Sequence, residues 1–525
     1  MLVAIVALVP AIAPVGPISS PSIFASPSTD PAVGVDFNGD GYGDLVVTAG
    51  QEDVGTVKDA GAVNVIYGSA VGLTDGGNQL WTQDSPGILD QAETGDLFGR
   101  TIVVGDFNGD AFSDLAVGAV QEDSPTTHDI GAVNVIYGSL LGLTDAGNQF
   151  WTQGTPGILD DPEVGDRWGV PLSSGDLNAD GYSDLAVGAQ FERIGGFAKA
   201  GAVNVIYGSA TGLIAQGNQL WTQDSPGILD QAEAYDNFGY GQNVGDFNGD
   251  GFDDLAAGAY GEDLDSLVDA GSVNVIYGSA TGLTDAGNQF WTQDSPGILD
   301  EAEGGDDFGV HEGAGDLNGD GYDDLAVGAD HEDIGSVVDA GAVNVIYGSA
   351  TGLTDVGNQF WNQDSPNIPD EPESGDKFGR FPLGVGDMNA DGYEDIAIGA
   401  ISETLNSKRE GGVVQVLLGS SGGLTDVGNQ FWNQDSPGIL DQVEWGDRFG
   451  RVSRAVDFNA DGFMDVTIGV GREEVDGAAT AGAVAVLYGS ANGPTDVGNQ
   501  LWSQNSPGIL DDAEPGDQFG RWLLG

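Results

Sequence analysis

One short acidic segment recurs along the chain at an almost constant interval. It reads Asp-Phe-Asn-Gly-Asp or a close variant, and its successive copies are 70, 70, 70, 70, 71 and 70 residues apart. A period this regular is typical of units that bury their apolar faces only by packing on neighbouring units, as in solenoids and propellers. The copies begin at Asp36, Asp106, Asp176, Asp246, Asp316, Asp387 and Asp457.

Each repeat contains four short apolar runs. In the unit that starts at Phe98, the runs cover residues 102–104, 115–119, 132–137 and 148–152, and Gly, Asp, Asn or Pro bounds each of them. Short runs rich in β-branched and aromatic residues predict strands, and no stretch shows a sustained helical period with caps. The sequence therefore predicts an all-β fold, a seven-bladed β-propeller of four-stranded antiparallel blades.

The two ends of the repeat array are complementary. The last segment, Phe519 to Gly525, resembles a first strand without an acidic loop, whereas the acidic loop at Asp36 has no Phe-Gly pair ahead of it. We therefore expect the C-terminal strand to complete the first blade and close the ring, the alternative being a fragment of a longer array. The predicted domains are a possible signal peptide or leader with its linker at 1–30 and the propeller at 31–525.

The acidic loops have the chemistry of a cation cage. Each fits D-x-N-x-D-G-x-x-D, with one exception at the sixth position. Oxygen ligands at positions 1, 3, 5 and 9, with the backbone carbonyl of position 7, supply the flexible oxygen shell that Ca²⁺ prefers over the octahedral shell of Mg²⁺. The sequence thus predicts up to seven calcium ions, one per repeat. The predicted side-chain ligands are Asp36, Asn38, Asp40, Asp44, Asp106, Asn108, Asp110, Asp114, Asp176, Asn178, Asp180, Asp184, Asp246, Asn248, Asp250, Asp254, Asp316, Asn318, Asp320, Asp324, Asp387, Asn389, Asp391, Asp395, Asp457, Asn459, Asp461 and Asp465. The predicted carbonyl ligands are Tyr42, Phe112, Tyr182, Phe252, Tyr322, Tyr393 and Phe463.

Two simpler interpretations of these loops fit less well. Asp, Asn and Gly are turn formers, but turn chemistry alone does not require four acidic or amide residues in one register seven times. An EF-hand needs Glu at position 12, where the first loop has Val47. The second loop carries Ala111 in place of Gly, so we expect its site to be the weakest, by about 1 kcal/mol if Ala111 adopts φ > 0.

The charge balance limits the partners of this chain. It has 83 Asp and Glu against 14 Lys and Arg, a formal net charge of -69. Nucleic acid and anionic membranes both require a basic face, so we expect neither as a partner. The N-terminal apolar run is interrupted by Pro10 and is too short to span a bilayer, which takes about 20 residues. It has the length of a signal-peptide core but no basic residue before it, and we expect a secreted or cell-surface protein.

The Phe-Gly pair, the nine-residue acidic loop and the Leu-Ala-Val-Gly-Ala run that follows it together resemble an FG-GAP repeat, the blade of the integrin α-subunit head. The resemblance covers residues 31 to 525 and implies seven blades with the calcium loops on one face. It also implies a protein or glycan ligand on the opposite face, at the loops after each Gly-Ala and before each Phe-Gly. Two departures stand out: no repeat has the Pro of Gly-Ala-Pro, and Trp168 replaces one Phe.

The loops that follow the second strands differ most obviously between repeats, which is typical of recognition surfaces but also of drift at unconstrained turns. We expect an extracellular binding or adhesion module, with calcium in a structural role, rather than an enzyme. The alternative is a calcium-dependent polysaccharide lyase or hydrolase. These loops cover residues 51–60, 121–130, 190–200, 260–270, 330–340, 401–410 and 471–481.

The histidines and tryptophans offer little support for catalysis. His128, His311 and His331 match no triad or metal spacing, so we expect His128 and His331 to be solvated loop residues and His311 to lie in or near a first strand. A Trp recurs in every fourth run, where packing between blades is favoured over stacking on sugars. These residues are Trp81, Trp151, Trp221, Trp291, Trp361, Trp432 and Trp502.

Overall fold

A computed structural model describes residues 34–381, 383–452 and 455–524, which form seven four-stranded antiparallel sheets arranged as a ring. The predicted leader at 1–30 lies outside these residues. Six sheets are continuous in sequence, with strand order first, second, third and fourth from the axis outwards. The described residues contain no helix. The predicted all-β, seven-bladed propeller is therefore confirmed.

The four strand positions are equivalent from blade to blade. The first strands are β4 (Phe98–Gly105), β8 (Leu172–Gly175), β12 (Gln242–Gly245), β16 (Glu312–Gly315), β20 (Gly384–Gly386), β24 (Phe449–Val452) and β28 (Leu523–Leu524). The second strands are β1 (Leu45–Ala49), β5 (Asp114–Ala119), β9 (Asp184–Ala189), β13 (Asp254–Ala259), β17 (Asp324–Ala329), β21 (Asp395–Ala400) and β25 (Val466–Val470). The third strands are β2 (Ala62–Tyr67), β6 (Ala132–Tyr137), β10 (Ala202–Tyr207), β14 (Ser272–Tyr277), β18 (Ala342–Tyr347), β22 (Val413–Leu418) and β26 (Ala483–Tyr488). The fourth strands are β3 (Thr74–Trp81), β7 (Thr144–Trp151), β11 (Ile214–Trp221), β15 (Thr284–Trp291), β19 (Thr354–Trp361), β23 (Thr425–Trp432) and β27 (Thr495–Trp502).

The ring closes through the first blade. Strand β28 pairs antiparallel with β1, Leu523 opposite Val47, so the C-terminal strand is the first strand of the blade that β1, β2 and β3 complete. The amide of Leu73 also donates to the hydroxyl of Tyr488 in the seventh blade (3.0 Å). This arrangement confirms the closure predicted from the complementary ends.

The second and third strands are buried on both faces because each blade packs between two others. Every residue of β5 and β6 is buried, for example, which explains why their sequences are continuous apolar runs rather than alternating ones. The clusters of buried side chains each combine neighbouring blades. The core of the protein therefore lies between the blades.

The Phe-Gly motifs lie where blades join, against the glycine that precedes the third strand of the preceding blade. The amide of Phe98 donates to the carbonyl of Ala60 in the preceding blade (2.8 Å). Gly61 has φ +90°, and a Cβ there would lie 2.2 Å from the Phe98 carbonyl oxygen, so only glycine permits this approach. In the third blade Trp168 replaces Phe, is fully buried, and donates its indole N–H to Asn204 Oδ1 (2.8 Å).

The fourth strands begin earlier than predicted. In the second blade the sequence predicted a strand at 148–152, whereas β7 extends from Thr144 to Trp151. The pairing of β6 with β7 shifts register between Val135 and Tyr137. The resulting bulge accommodates the turn-forming residues Asp-Ala-Gly within β7. The Trp residues lie at the strand ends, buried or half-buried, and Trp81, Trp151 and Trp221 belong to core clusters, as the packing interpretation predicted.

Candidate metal loops and the axial channel

The seven predicted loops all lie at the same end of the ring. Each one leads into a second strand, and in the six blades that are continuous in sequence it directly follows the first strand. In the first loop, Asp36 Oδ1 accepts the amide of Gly39 (2.6 Å) and its Oδ2 accepts that of Gly41 (2.9 Å). Asn38 Oδ1 accepts the Asp40 amide (2.9 Å), and Asp40 Oδ1 accepts the Tyr42 amide (3.1 Å). The side-chain oxygens at positions 1, 3 and 5 thus curl the backbone around themselves.

The aspartate at position 9 is fully buried in every loop. In the fourth blade, Asp254 Oδ2 accepts the Phe247 amide (3.1 Å) and Oδ1 accepts the Gly278 amide (2.8 Å). Position 9 therefore connects its loop to the end of the third strand. The same two contacts recur in all seven blades, and the residues concerned are Asp44, Asp114, Asp184, Asp254, Asp324, Asp395 and Asp465, each 0% exposed.

These buried carboxylates have no positive partner in the described part of the chain. None of the ion pairs between described residues involves a carboxylate at position 1, 5 or 9 of a loop. Burial, together with the charges of Asp246 and Asp250, raises the pKa of Asp254 to about 8. Three carboxylates, an amide oxygen and a nearby carbonyl without a counter-charge are a donor set that fits a hard divalent cation.

Two positions in each loop adopt left-handed backbone angles. At position 6, Ala111 has φ +68°, which meets the condition on which the sequence analysis based its weaker site, while the six glycines there have φ from +84° to +90°. Position 4 is also left-handed, which the sequence analysis missed, and alanine occupies it in three loops. These are Ala179, Ala390 and Ala460, with φ of 53°, 56° and 55°. The second loop is therefore one of four that carry a strained alanine.

A closed chain of hydrogen bonds links the seven loops. The amide of position 8 in each loop donates to the carbonyl of position 1 in the preceding loop, as from Ser113 to Asp36 (2.9 Å) and from Asp253 to Asp176 (3.2 Å). The last link, from Gly43 to Asp457 (2.9 Å), joins the first blade to the seventh. The conformation of one loop is thus coupled directly to that of the next.

A second set of acidic residues, which sequence reasoning missed, lies on the opposite rim. In the second blade the buried Glu122 accepts a hydrogen bond from Gln83 Nε2 (2.9 Å) and lies near Asp90 and Asp96. Burial raises the pKa of Glu122 to about 9, and the Asp90 and Asp96 carboxyls raise it further. Carboxylate oxygens lie within 4.8 Å of one another at Glu52, Glu514 and Asp517, at Glu163, Asp166 and Glu192, and at Glu373, Asp376 and Glu403. We name the seven buried glutamates the rim glutamates; they are Glu52, Glu122, Glu192, Glu262, Glu332, Glu403 and Glu473.

The histidines follow the predictions in part. His128 is exposed and contacts Asp123 (2.6 Å), and His311 lies directly before β16, both as predicted. The prediction for His331 was wrong: its side chain is only 30% exposed, because it is held between Asp307 (2.8 Å) and Asp330 (3.3 Å). The hydrogen bonds to these two carboxylates raise the pKa of His331 to about 9.

The first strands of neighbouring blades surround an axial channel. It encloses a cavity of about 660 Å³, lined by side chains that differ from blade to blade. Among them is Glu312, which is 3% exposed, whose two carboxylate oxygens form no hydrogen bond, and whose pKa burial raises well above its usual value. The position equivalent to Glu312 is occupied by Ile102 in the second blade and by Gln242 in the fourth. The channel lining therefore departs from the sevenfold repeat.

The FG-GAP repeat family model matches residues 29–66, 98–136, 169–206, 238–276 and 308–346, which lie in the first five repeats. The chain is an FG-GAP repeat protein. It is 30% identical to integrin alpha-PS2 of Drosophila melanogaster over 207 residues, which are 37% of this chain and 14% of that protein. It is 34% identical to phosphatidylinositol-glycan-specific phospholipase D of Bos taurus over 178 residues, 34% of this chain and 20% of that protein.

These FG-GAP relatives are much longer than the segment they share with this chain, which spans no more than a fifth of either one. Among solved structures, an exotype rhamnogalacturonan lyase superposes with a TM-score of 0.35 at 12% identity, covering 78% of this chain and 57% of the lyase. A superposition this poor has no bearing on activity. In the described ranges no helix is long and apolar enough to cross a membrane.

Proposed function

We propose that this FG-GAP protein is an extracellular calcium-binding β-propeller that acts as a binding or adhesion module, without catalytic activity. One observation carries the proposal: seven fully buried position 9 carboxylates, each beside two further loop carboxylates, have no basic partner among the described residues. A divalent cation in each loop would neutralise them. The similarity to integrin alpha-PS2 supports an adhesive role outside the cell.

The position 1, 3, 5 and 9 side chains of each loop, with the carbonyl of position 7, would hold the calcium ion. When bound, the ion supplies charge neutralisation and a rigid link between the first and second strands of its blade. Hydrogen bonds within the chain already hold each loop in position. Position 9 fixes the loop to the third strand through the two amides described for Asp254, and position 8 fixes it to the preceding loop. Calcium would thus act structurally, leaving the opposite face free to bind a protein or a glycan.

Thermal unfolding with and without calcium tests this proposal. We expect the melting temperature of the full chain to rise strongly between excess chelator and millimolar calcium, because an ion that binds only the folded state stabilises it by mass action. Magnesium at the same concentration is the control and should shift the transition much less. An unchanged melting temperature in chelator would contradict the calcium assignment.

A second candidate is a calcium-dependent polysaccharide lyase or hydrolase, favoured by the unpartnered Glu312 and neighbouring His311 in the irregular channel. An assay on acidic polysaccharides, with wild type compared to Glu312→Gln, separates the two. The binding proposal expects no cleavage by either protein. Cleavage by wild type that is lost in Glu312→Gln would favour the enzyme.

A further inference from the structure

Thirteen of the 14 Lys and Arg of this acidic chain lie either in the loops after the second strands or directly beside a Phe-Gly or Trp-Gly pair. The other one, Arg454, lies outside the described residues. Both kinds of segment lie at the end opposite the acidic loops, because first strands begin at Phe-Gly and end at the acidic loops. Four arginines directly follow Phe-Gly: Arg100, Arg380, Arg451 and Arg521. Of these, Arg100 lines the channel cavity together with Trp522, whose ring contacts both Arg100 and Arg451.

Aromatic rings hold these guanidinium groups together at the channel mouth. The Arg451 guanidinium carbon is 3.7 Å from the Phe381 ring centroid and 4.9 Å from that of Trp522. The guanidinium carbon of Arg100 lies 5.2 Å from the centroid of the same Trp522 ring. Arg451 Nη1 also donates to the carbonyl of Arg521 (2.9 Å). Cation–π contacts position the guanidiniums but do not neutralise their charge.

Three of the four arginines have no carboxylate partner among the described residues. Arg380 contacts Asp330 (3.5 Å), which also contacts Lys377 and His331, whereas Arg100, Arg451 and Arg521 form no ion pair. Arg521 Nε and Trp522 Nε1 are buried donors without a hydrogen-bond partner. The chain has 83 acidic residues, yet these guanidinium groups form no ion pair and lie beside buried donors without acceptors. Such a cluster indicates an anion-binding site.

The electrostatics of the cluster agree with this geometry. Burial, together with the charge of Arg100, lowers the pKa of Arg521 to about 10. Burial likewise lowers the pKa of Arg451 well below its usual value, with Arg521 and Arg100 adding to the effect. Because guanidinium groups remain protonated in proteins, their mutual repulsion is a cost that a bound anion would relieve.

The size and surroundings of the site restrict the anion. The channel cavity of about 660 Å³ is in the range of small-molecule sites. A net charge of -69 repels long polyanions, so a ligand with one or two charges is favoured. The planar guanidinium fork matches a carboxylate in bidentate geometry, and the neighbouring aromatic rings suit an organic body.

We propose that Arg100, Arg451 and Arg521, with the indole N–H of Trp522, bind the carboxylate of a small organic acid at the mouth of the axial channel. This inference rests on the proposed role as a binding module and names the class of ligand that the module takes. The site is separate from the calcium loops, which lie at the other end of the first strands.

Calorimetric titration of the full chain in saturating calcium tests the site with glucuronate and, as the neutral counterpart, glucose. We expect saturable binding of glucuronate, accompanied by a change in tryptophan fluorescence, and none of glucose. Arg451→Gln and Arg100→Gln should each weaken glucuronate binding at least tenfold. Gly76→Asp is the matched control, since it makes the same change in net charge at an exposed position of β3 and should bind like wild type.

Absence of saturable glucuronate binding by wild type would overturn the proposal, as would equal binding of glucose or unchanged affinity in both arginine variants. Binding of inorganic phosphate in place of glucuronate would overturn the assignment to a carboxylate. Circular dichroism of each variant shows whether it is folded, and Arg100→Gln still tests the site should Arg451→Gln fail to fold. The calcium-dependent melting shift, measured on the same preparations, separates the two proposals: if it persists while glucuronate fails to bind, only the channel site is refuted.

Discussion

The acidic-loop end and the channel mouth of this propeller are built from the same repeats, yet they differ in regularity. At the loop end, position 9 is a fully buried Asp seven times, and the loops are hydrogen-bonded into a closed chain. Along the channel, the first strands read RTIVV, VPLSS, YGQNV and VHEGA in blades two to five. Repetition at one end indicates a requirement that every blade shares, whereas divergence at the other allows one asymmetric site on the common axis.

The largest expected contrast is between a loop substitution and a channel substitution in the same blade. Asp254→Ala leaves the buried amides of Phe247 and Gly278 without an acceptor and removes a predicted metal ligand. At 1–3 kcal/mol for each buried unsatisfied group, we expect the free energy of unfolding to fall by about 2 to 6 kcal/mol. Denaturant unfolding in saturating calcium measures it.

The matched variant of that fourth blade is Gln242→Leu. Gln242 lines the channel, where the third blade has Leu172. Its Nε2 donates to the Gly239 carbonyl (2.9 Å), and its Oε1 accepts from Ser173 Oγ (3.1 Å). At about 0.5 to 1.5 kcal/mol for each, losing both hydrogen bonds should cost about 1 to 3 kcal/mol. Equal losses for Asp254→Ala and Gln242→Leu would show that regularity does not reflect a shared structural requirement.

Much of the regular end could be predicted from the sequence, because its determinants are local. The loop ligands, the left-handed angle of Ala111 and the strands that follow are each encoded within a few residues. The left-handed angle at position 4 could not be seen, since Gly is the residue that would mark it and three loops carry Ala there.

The irregular end depends on residues that are distant in sequence. Arg100, Phe381, Arg451 and Trp522 belong to four blades and meet only because the ring closes. The rim glutamates likewise lie near carboxyls from about thirty residues earlier, as Glu122 does with Asp90. One signal was available: every Lys and Arg except Arg454 belongs to a segment of the end opposite the acidic loops.

The rim glutamates should make the free energy of unfolding depend on pH in a way that the acidic loops at the other end do not. Burial raises the pKa of Glu262 to about 10, with the Asp230 carboxyl adding to it. The folded protein therefore retains a proton that the unfolded chain releases above about pH 4.5, so stability is full below that pH and falls as the pH rises towards 10.

In saturating calcium, which on the proposed function would bind the loop carboxylates, we expect the free energy of unfolding to decrease from pH 5 to pH 8. Each rim glutamate should contribute up to about 1.4 kcal/mol per pH unit. Glu262→Gln keeps the shape of the side chain but removes its titratable proton, so the free energy of unfolding should decrease less steeply with pH. A stability that increases over this range, or a slope unaffected by Glu262→Gln, would show that the rim carboxyls are ionised and paired with a cation.

The smallest expected effect concerns strain within the regular end. Ala111 has φ +68°, and replacing it by Gly should stabilise the second loop by about 1 kcal/mol, because a left-handed angle costs alanine about that much. The converse variant is Gly181→Ala in the third loop, where φ is +89° and a Cβ would meet no atom within 4 Å, so any loss reflects the backbone angle alone. Thermal melting and calcium titration of both variants would show opposite shifts of similar size. If Ala111→Gly changes neither, the sixth position does not limit calcium binding, and the seven loops are more nearly equivalent than their sequences indicate.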